Sequence, residues 1–512
     1  MKKRGSITVF AALSFSLIAS VLFSLLELAR VYELDAYAGM TSSLAIESVC
    51  AEYQPKLWED YHLLGLDGAY GGTEFSIDHV TGVLSARIAT NLTLSGDGSR
   101  IMGLEHEKST PKAYQLLTDG EGDVFLHQVS EYMRENLPAE MIQILYDRYQ
   151  ENKSVEDSQQ VESSVEDAQT AIDEAKSQME NAEGTGSDTG TSEASGAGSG
   201  TDTNGAAGAG SEAAPAEVEE NPLELVLSLK QNALLGMVTD DVSSLSTAQI
   251  DISDSIEKRT CQKGTLSKKP TVNLYDKVLV LEYMNQYFSN YLSPSDGHAL
   301  SYEMEYVLCG KESDKDNLEA VVGRLLLIRE AANVTYILSD SQKRAEAAAL
   351  AGTLAGFTGN PATIKVVEIG IVAAWAYIES ILDIRALLAG DKIALMKNSS
   401  QWVTQLGSFS AAMAAGAKAK NCENGLGYLD YLKGFLFTMQ KQKLAYRMMN
   451  IMEKSIQMVP AYQNCKMDHV LCHIDYEMVY TAEPLFSRLS VVGKKGFSGL
   501  YFGCDRSFSY CE

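Results

Sequence analysis

The chain opens with a short basic leader followed by a long run that carries no charge. The leader, Lys2 to Arg4, precedes the uncharged run 5–26. A helix of this length crosses a hydrocarbon core of ~30 Å. Because the run and the residues after it contain no early proline, we predict one helix that continues to about Tyr53. The pattern therefore predicts that residues 1–53 form a cytoplasmic leader, a transmembrane helix and a stalk helix.

The charges on either side of this run predict its orientation. The leader is basic, whereas Glu27, Glu33 and Asp35 outweigh Arg30 just after the run. By the positive-inside rule, the N-terminus is then cytoplasmic and the chain after the run is extracytoplasmic. A cleaved signal peptide is the alternative, but its apolar core usually has ~7–15 residues and ends at a small-x-small site. We therefore expect an uncleaved, single-pass anchor in the cell membrane.

Two segments with mixed and helical patterns follow the stalk. Residues 54–122 predict mixed α/β structure, with turn signals and an alternating stretch at Thr90–Leu94. Residues 123–182 predict a helical arm with a break near Pro138. A weak apolar seam in this arm favours a short coiled coil or a helical hairpin, and an exposed charged helix resting on the body is the alternative. The seam consists of Val161, Val165, Ala168, Ile172, Ala175 and Met179.

The next segment, 183–220, lacks the residues that build a core. It combines nine glycines with Ser, Thr, Ala and acidic residues, and it has no aromatic residue, leucine or isoleucine. Such a segment cannot bury enough apolar surface to offset the entropy lost on ordering it. We therefore predict a disordered linker with an r.m.s. span of roughly 35 Å.

Amphipathic patterns return in residues 221–460 and predict a mainly helical body. Ser313 or Asp314 can cap one long helix of this body. The stretch Tyr302–Leu308 alternates and predicts a strand, and residues 461–512 predict a strand-rich segment that pairs with it. The predicted helices are 222–237, 275–291, 316–337, 341–356, 361–388 and 428–458.

A second stretch of low charge lies inside the helical body. Residues 347–364 carry no charge, but several glycines and an Asn–Pro pair interrupt them. The following helix carries Glu368, Glu379 and Asp383 on one stripe. A charge at the centre of a bilayer costs at least ~2.5–3.5 kcal/mol on insertion scales. We therefore predict a buried hairpin with a narrow polar edge instead of a second membrane insertion.

Composition and charge narrow the class of protein. The chain has 512 residues, of which 45% are hydrophobic and 21% are charged, as in an ordinary folded protein. With 42 basic and 68 acidic residues, its net charge is −26, which argues against nucleic acid as a partner. We therefore predict an α+β, mainly α-helical fold with an N-terminal transmembrane helix, a helical extracytoplasmic body and a smaller β-sheet.

The motifs of common catalytic sites are absent or incomplete. No Walker loop, H-E-x-x-H helix or G-x-S-x-G elbow occurs. Ser109 and Lys112 have the spacing of an acyl-transfer pair but lack its companion motifs. Asp119, Glu121 and Asp123 lack the later EF-hand ligands, so we interpret them as a solvated turn. We therefore expect no enzyme activity, no catalytic, cofactor-binding or metal-binding residues, and no cofactor.

Eight cysteines are too few for a disulfide scaffold in a chain of this length. One cluster has metal-type ligands, but neighbouring residues of a strand point to opposite faces and cannot easily share an ion. We interpret its cysteines as oxidised or buried thiols of an extracytoplasmic protein. We also predict that Cys504 and Cys511 are oxidised, with their mutual pairing as one option among several. The cluster consists of Cys465, His469, Cys472 and His473.

Three features of the N-terminus occur together. A basic leader ends at a glycine within Arg4–Phe10, an apolar run follows, and Glu27–Tyr32 gives an E-x-x-R-x-Y exit before a helix rich in small residues. This arrangement resembles the start of TadE/TadG-like proteins of Tad (Flp-type) pilus assembly. Such leaders usually carry a glutamate where this chain has Phe10, so we expect the helix to stay in the membrane instead of polymerising. The small residues are Ala36, Ala38, Gly39, Ser42, Ser43 and Ala45.

Several short stretches between about residues 300 and 390 carry a second resemblance. They are 300–308, Gly310-Lys311, Asp316–Leu318, Ile328–Glu330 with Asn333, Trp375-Ala376 with Glu379 and Asp383, and 387–390. They resemble a family of uncharacterised single-pass membrane-anchored proteins of Gram-positive bacteria, which carry a domain of unknown function and accompany pilus or secretion systems. That resemblance implies no catalytic residues.

These observations lead to two functional hypotheses. The first is a non-enzymatic, membrane-anchored extracytoplasmic component of a Tad-like pilus assembly or secretion system, with a pseudopilin-like N-terminus. It would have the membrane and other assembly or secretion proteins as partners, and no nucleic acid. The alternative is a cell-surface binding module, an adhesin or sensor ectodomain on a helical stalk. Glu27 and Arg30, one turn apart at the membrane exit, either register a partner helix or form an interfacial ion pair.

Overall fold

A single long helix begins the fold. The computed structural model describes residues 4–93, 103–137, 221–267, 270–486 and 499–511. Helix α1 (Arg4–Cys50) runs without a break for about 70 Å. Its first half exposes apolar side chains, whereas its second half packs against the rest of the protein. The prediction of one helix that continues beyond the apolar run is therefore confirmed, with its end at Cys50.

Three long strands form an antiparallel sheet. The central strand β3 (Val470–Ala482) lies between β2 (Leu104–Leu116) and β4 (Leu500–Ser509). The two-residue strand β1 (Leu66–Asp67) pairs with the first residues of β3. Ala482, the last residue of β3, lies opposite the first residues of both β2 and β4. The strands predicted in the tail are therefore present.

One face of this sheet is covered by two helices, α1 and α3 (Ile77–Thr93). The β3 side chains on that face alternate along the strand, as a half-buried strand requires. Helix α3 contributes residues four apart, which lie on one side of a helix. The result is a small core of its own. Its fully buried residues include Leu34, Ala38, Ala45, Val49, Val80, Leu84, Ile88, Met478 and Tyr480.

The remaining helices share a larger core. They are α2 (Pro55–Tyr61), α4 (Asp123–Asn136), α5 (Pro222–Lys230), α6 (Leu234–Val238), α7 (Leu274–Tyr287), α8 (Glu303–Cys309), α9 (Asp314–Ser339), α10 (Ser341–Ala355), α11 (Pro361–Leu388), α12 (Phe409–Ala414), α13 (Tyr428–Thr438) and α14 (Lys441–Gln457). Helix α11 is central, because every residue from Gly370 to Leu388 except Arg385 is buried. Within the low-charge stretch 347–364, only Ala347, Ala351 and Ala355 are buried, so the predicted burial holds for α11 from Gly370 onward and not for the stretch itself.

Local capping explains why α9, α10 and α11 begin and end close to the predicted positions. The Ser313 side chain accepts a hydrogen bond from the N–H of Asp316, and Asp340 caps α10 in the same way. Asn360 precedes Pro361, a residue suited to the first turn of a helix. Gly390, with φ +89°, follows α11 in the left-handed conformation that glycine tolerates best.

The strand predicted at Tyr302–Leu308 is wrong, because this segment forms α8. Its alternation does not separate a buried from an exposed face, since Glu303 and Glu305 are buried as completely as Met304. Glu303 accepts hydrogen bonds from the N–H and the hydroxyl of Ser289, at 2.9 and 3.1 Å. The tail strand β3 consequently pairs with β2 and β4 instead of with this segment.

Several other boundaries differ from the predictions. Thr90–Thr93 forms the last turn of α3 instead of an alternating strand. The helix predicted at 222–237 is divided into α5 and α6, and the one predicted at 275–291 ends at Tyr287. The helix predicted at 428–458 is interrupted at Met439, whose ψ of 148° is extended. Breaks without proline or glycine leave little trace in a hydrophobic pattern.

The predicted α+β, mainly helical fold class is confirmed. The break near Pro138, the apolar seam at 161–179 and the linker at 183–220 lie outside the described residues. The predicted bounds of the helical arm, 123–182, and of the linker, 183–220, therefore stay predictions.

Candidate functional site: the membrane-exit clamp

The first half of α1 is apolar and uncovered. In the part of the chain that the structure describes, it belongs to the one helix that is long and apolar enough to cross a membrane. The best 18-residue window has a mean hydropathy of 2.4, and none of it is buried. Phe10, Phe15 and Leu17 are 72%, 75% and 68% exposed. Exposure of such side chains to water costs ~1.5–3 kcal/mol each relative to burial, and a lipid surrounding removes that cost.

A polar contact marks the point where the apolar half of α1 ends. The Glu27 carboxylate accepts hydrogen bonds from the N–H groups of Leu485 and Phe486, at 3.2 and 2.6 Å. Arg30 donates to Glu27 at 3.0 Å and to the carbonyl of Glu483 at 3.0 Å. We call this arrangement the exit clamp: Glu27, Arg30 and the backbone of 483–486. It joins the helix to the chain that leaves β3.

The exit clamp is buried although it lies next to the exposed apolar half of α1. Glu27 and Arg30 are only 8% and 5% exposed. Hydrogen bonds to ionised groups are about twice as strong as neutral ones, and removal of one partner from a buried ion pair leaves an uncompensated charge. The sequence allowed two interpretations of Glu27 and Arg30, contact with a partner helix or an ion pair, and the ion pair is present. Its additional partners are backbone groups of this same chain.

The small residues after the exit clamp let the sheet approach α1 closely. The Ser42 hydroxyl lies 2.7 Å from the Tyr480 hydroxyl. Arg506 on β4 donates to the carbonyl of Gly39 at 3.1 Å and to the Ser43 hydroxyl at 2.9 Å. A Cβ atom at Gly39 would lie 2.8 Å from the Arg506 guanidinium, closer than real Cβ contacts occur. The second half of α1 is therefore fixed to the folded protein along its length.

A second group of charges is buried inside the helical body. Asp383 accepts from Arg329 Nε at 2.9 Å and from Asn333 Nδ2 at 3.0 Å, and it pairs with Lys397 Nζ at 2.5 Å. Glu379 also pairs with Lys397. We call Arg329, Glu379, Asp383 and Lys397 the buried network. It contains two positive and two negative side chains, so its formal charges cancel, as buried ions require.

Buried cations also satisfy free carbonyl groups in this body. Arg329 donates to the carbonyls of Ala394 and Leu395, at 3.0 and 3.1 Å. Arg447 donates to the carbonyls of Val307 and Leu308 at the end of α8, at 3.2 and 2.8 Å. The last carbonyls of a helix have no partner within the helix and carry partial negative charge, so a cation stabilises them. The buried charges of Arg329 and Arg447 thus stabilise backbone carbonyl groups inside the body.

Six polar residues of the stretches that resemble an anchored family are buried in this core. They are Glu303, Glu305, Arg329, Asn333, Glu379 and Asp383. Each has partners within the protein, so the resemblance follows residues that specify the packing of the body. The sequence places Glu379 and Asp383 on a polar edge, but their pairing with Arg329 and Lys397 was not predicted. Their distance along the chain left no local signal for the pairing.

The catalytic candidates from the sequence do not form a site. Ser109 and Lys112 both lie on β2, where the Ser109 hydroxyl is 2.9 Å from His106 Nε2 and Lys112 lies at a register shift of the strand. Lys112 pairs instead with Asp505 at 2.7 Å, on the surface. Asp119 is buried and accepts from the N–H groups of Leu116 and Gly264, so the predicted solvated turn is wrong at this residue.

The metal-type cluster is dispersed. Cys465 contacts the Gln54 amide at 3.7 Å, and His473 pairs with Asp475 at 2.9 Å. Among the described residues, no three His, Cys, Asp or Glu side chains are arranged to hold a metal ion. No disulfide joins any of the eight cysteines in this structure. Cys504 and Cys511 cannot pair with each other in this fold, because the rest of β4 separates them by about 17 Å or more, well beyond disulfide reach.

Comparison with known proteins places the body of the chain in a family. A family model described as a family of unknown function, DUF5702, matches residues 212–482, slightly more than half of the chain. The match begins after α1, so the N-terminal resemblance lies outside it. No curated protein and no solved structure matches the chain. The chain belongs to the DUF5702 family.

Proposed function

We propose that this protein is a non-enzymatic, membrane-anchored component of a Tad-like pilus-assembly or secretion apparatus, with its folded part outside the cytoplasm. One observation carries the proposal: α1 is a single helix whose first half is apolar and uncovered and whose second half is packed into the protein. Lipid around the first half would hold the folded part at a fixed distance from the membrane. The basic leader before the helix supports a cytoplasmic N-terminus.

The exit clamp supports a mechanical use of this anchor. A transmembrane helix joined to a domain through a flexible linker leaves that domain free to rotate. Here Glu27 and Arg30 bind the backbone of 483–486 next to the apolar half of α1. The sheet would therefore keep one orientation relative to the bilayer. A component that aligns other subunits of an assembly needs such an orientation.

The link to a Tad-like system rests on the N-terminal resemblance. Two residues of its E-x-x-R-x-Y exit, Glu27 and Arg30, form the exit clamp, which gives that motif a physical purpose. The third, Tyr32, is 71% exposed and points away from the protein. Tyrosine is enriched at membrane–water interfaces, where its ring and hydroxyl meet different surroundings. Tyr32 is thus available to lipid headgroups or to a neighbouring subunit.

A topology experiment tests the anchor and its orientation. We expect a reporter that is active only in the cytoplasm to be silent when fused after residue 60, because that position follows α1. The same reporter fused before residue 1 serves as the control and should be active. Activity of the fusion after residue 60 would contradict the proposed orientation.

A crosslinking experiment tests the partner class. A photo-crosslinking amino acid at Tyr32, which is exposed, should give products with pilus-assembly or secretion proteins in living cells. The same amino acid at Tyr480, which is fully buried, is the control and should give none between chains. Products with extracellular ligands alone would favour the surface binding module instead.

A further inference from the structure

The chain after β4 folds back beside the start of β3. Tyr510 donates its backbone N–H to the carbonyl of Cys472 at 3.0 Å. The Ser509 hydroxyl bonds with both the N–H and the carbonyl of Cys511, at 3.3 and 2.5 Å, and so bends the chain there. Cys472 and Cys511 both line one cavity of about 800 Å³ between the sheet and α4. Two thiols from adjacent chain segments thus face the same space.

The other cysteines are held elsewhere. Cys504 packs in the small core on the α1 side of the sheet. Cys50, at the end of α1, lies behind the sheet, where its carbonyl accepts from the Tyr510 hydroxyl. Cys465 and Cys422 contact the amides of Gln54 and Gln401, at 3.7 and 3.4 Å. Cys261 donates to the carbonyl of Ile256 at 3.7 Å, and Cys309 is the last residue of α8. Cys511 is therefore the thiol best placed to reach Cys472.

We infer that Cys472 and Cys511 form an intramolecular disulfide that fastens the end of β4 to the start of β3. Tyr510, the residue before Cys511, is bonded to Cys472, so Cys511 is next to the position that pairs with Cys472. Neighbouring strands lie about 5 Å apart, a disulfide joins Cα atoms up to about 7 Å apart, and both thiols line one cavity that leaves room for the bond. The bond encloses residues 472–511, including the backbone of the exit clamp.

The oxidation needs a disulfide oxidant, for which glutathione disulfide is a suitable class. The Cys511 thiolate attacks it, forms a mixed disulfide and releases one glutathione thiol. The Cys472 thiolate then displaces the second glutathione, so two protein thiols become one disulfide and one oxidant becomes two thiols. Burial raises the pKa of Cys511 to about 11. Burial, and next the neighbouring Cys511 thiol, raise the pKa of Cys472 further, so we expect half-buried Cys511 to react first.

The bond in the cell rests on the proposed extracytoplasmic location, where oxidants are present. The geometry of the bond does not depend on that location, so an experiment on purified protein tests the geometry separately. We expect the full chain in detergent, treated with glutathione disulfide and alkylated without reductant, to yield a linked pair of tryptic peptides, 467–488 with 507–512. Trypsin separates these from the Cys504 peptide 496–506 and the Cys50 peptide 31–56.

Two variants control the assignment. Cys504→Ser should keep the linked pair and the higher Tm of the oxidised chain, whereas Cys511→Ser should lose both. Peptide 507–512 recovered fully alkylated after oxidation would overturn the inference, as would its linkage to peptide 31–56 or 496–506. If the bond forms in purified protein but is absent from cells, the inference about geometry stands and the proposed location is contradicted.

Discussion

Glu27 joins two parts of the chain: its own helix, where it pairs with Arg30 one turn later, and the backbone that leaves β3. A carboxylate in this position meets two peptide N–H groups that would otherwise lie unpaired after the last ladder bond of the strand. Backbone N–H groups buried without a partner are costly, so the side chain stabilises a strand end as well as a helix position.

Replacement of Glu27 should therefore loosen a segment more than 450 residues away in sequence. In Glu27→Ala, the N–H groups of Leu485 and Phe486 lose a charged acceptor, worth ~1.5–3 kcal/mol. We expect their amide hydrogen exchange to accelerate about 10- to 100-fold, measured by mass spectrometry on a peptide that covers 483–486. Glu33→Ala, an exposed glutamate on the same helix, is the control. Equal exchange in the two variants would contradict the clamp.

Glu305 gives a pH dependence whose sign follows from burial. Its carboxyl is fully buried, and burial raises the pKa from 4.5 to about 7. At a pH between these two pKa values, the Glu305 carboxyl of the folded protein retains a proton that the unfolded chain has released. The folded state then binds more protons, so the free energy of unfolding falls as pH rises from about 4.5 to 7 and this contribution is constant above.

Glu305→Gln should remove this pH dependence. Glutamine still accepts from the Tyr428 hydroxyl, which lies 2.6 Å from the Glu305 carboxyl, but has no proton to release. We expect the wild type to lose up to about 3 kcal/mol more stability than the variant between pH 5 and pH 8, measured by urea unfolding. Glu312→Gln, on an exposed glutamate, should behave as the wild type. Parallel curves for wild type and Glu305→Gln would refute the assignment.

Among the elements, α11 depends most on charges inside the core. Its apolar residues make it hydrophobic almost all round, as in a central helix. Glu379 and Asp383 interrupt that surface and receive Arg329 from α9 and Lys397 from the loop after α11. These ion pairs fix which faces of α9 and α11 meet. Apolar contacts alone discriminate less well between rotations of a helix.

Asp383→Ala tests this role of the buried network. It leaves the cations of Arg329 and Lys397 with one carboxylate fewer in a site closed to water, so we expect a loss of about 3–5 kcal/mol in the free energy of unfolding. Glu368→Ala on the same helix removes an ion pair with largely exposed Lys365 and should cost under about 1 kcal/mol. Similar losses for both variants, measured by urea unfolding, would show that the network does not stabilise the fold.

The sequence predicts elements with local end signals and misses those fixed by distant partners. Helices α9 to α11 were predictable because their capping residues, Ser313, Asp340 and Asn360, stand directly before the first residue of each helix. The strand predicted at 302–308 failed because carboxylates at alternate positions normally indicate solvent, and here Ser289, Tyr291 and Tyr428 donate to them. The partner of β3 in β2 lies more than 350 residues away and has no local signal.

The same distinction applies to the candidate site. Glu27 and Arg30 were identifiable from their position after the apolar run. Their backbone partners at 483–486 were not, because main-chain groups leave no mark in a sequence. The exit clamp therefore became visible only when the fold brought the end of β3 to the helix.

At the scale of the whole molecule, the two halves of α1 have different surroundings. Its first half has the composition of a membrane span, and its second half is part of the small core beneath the sheet. A subunit that leaves the bilayer to polymerise must pack that first half among copies of itself. Phe10 supplies no charge for such packing, and the folded part is large for a repeating unit. The proposed function therefore requires that α1 remain in the membrane.

Cell fractionation with an intact mass measurement tests this requirement most directly. We expect the protein in the membrane fraction, with a mass that includes the basic leader Lys2 to Arg4. Retention of the leader fits an anchor, because leader removal precedes assembly in pilin-like subunits. Recovery mainly in sheared surface filaments, with Ser6 as the first residue, would contradict the anchored account.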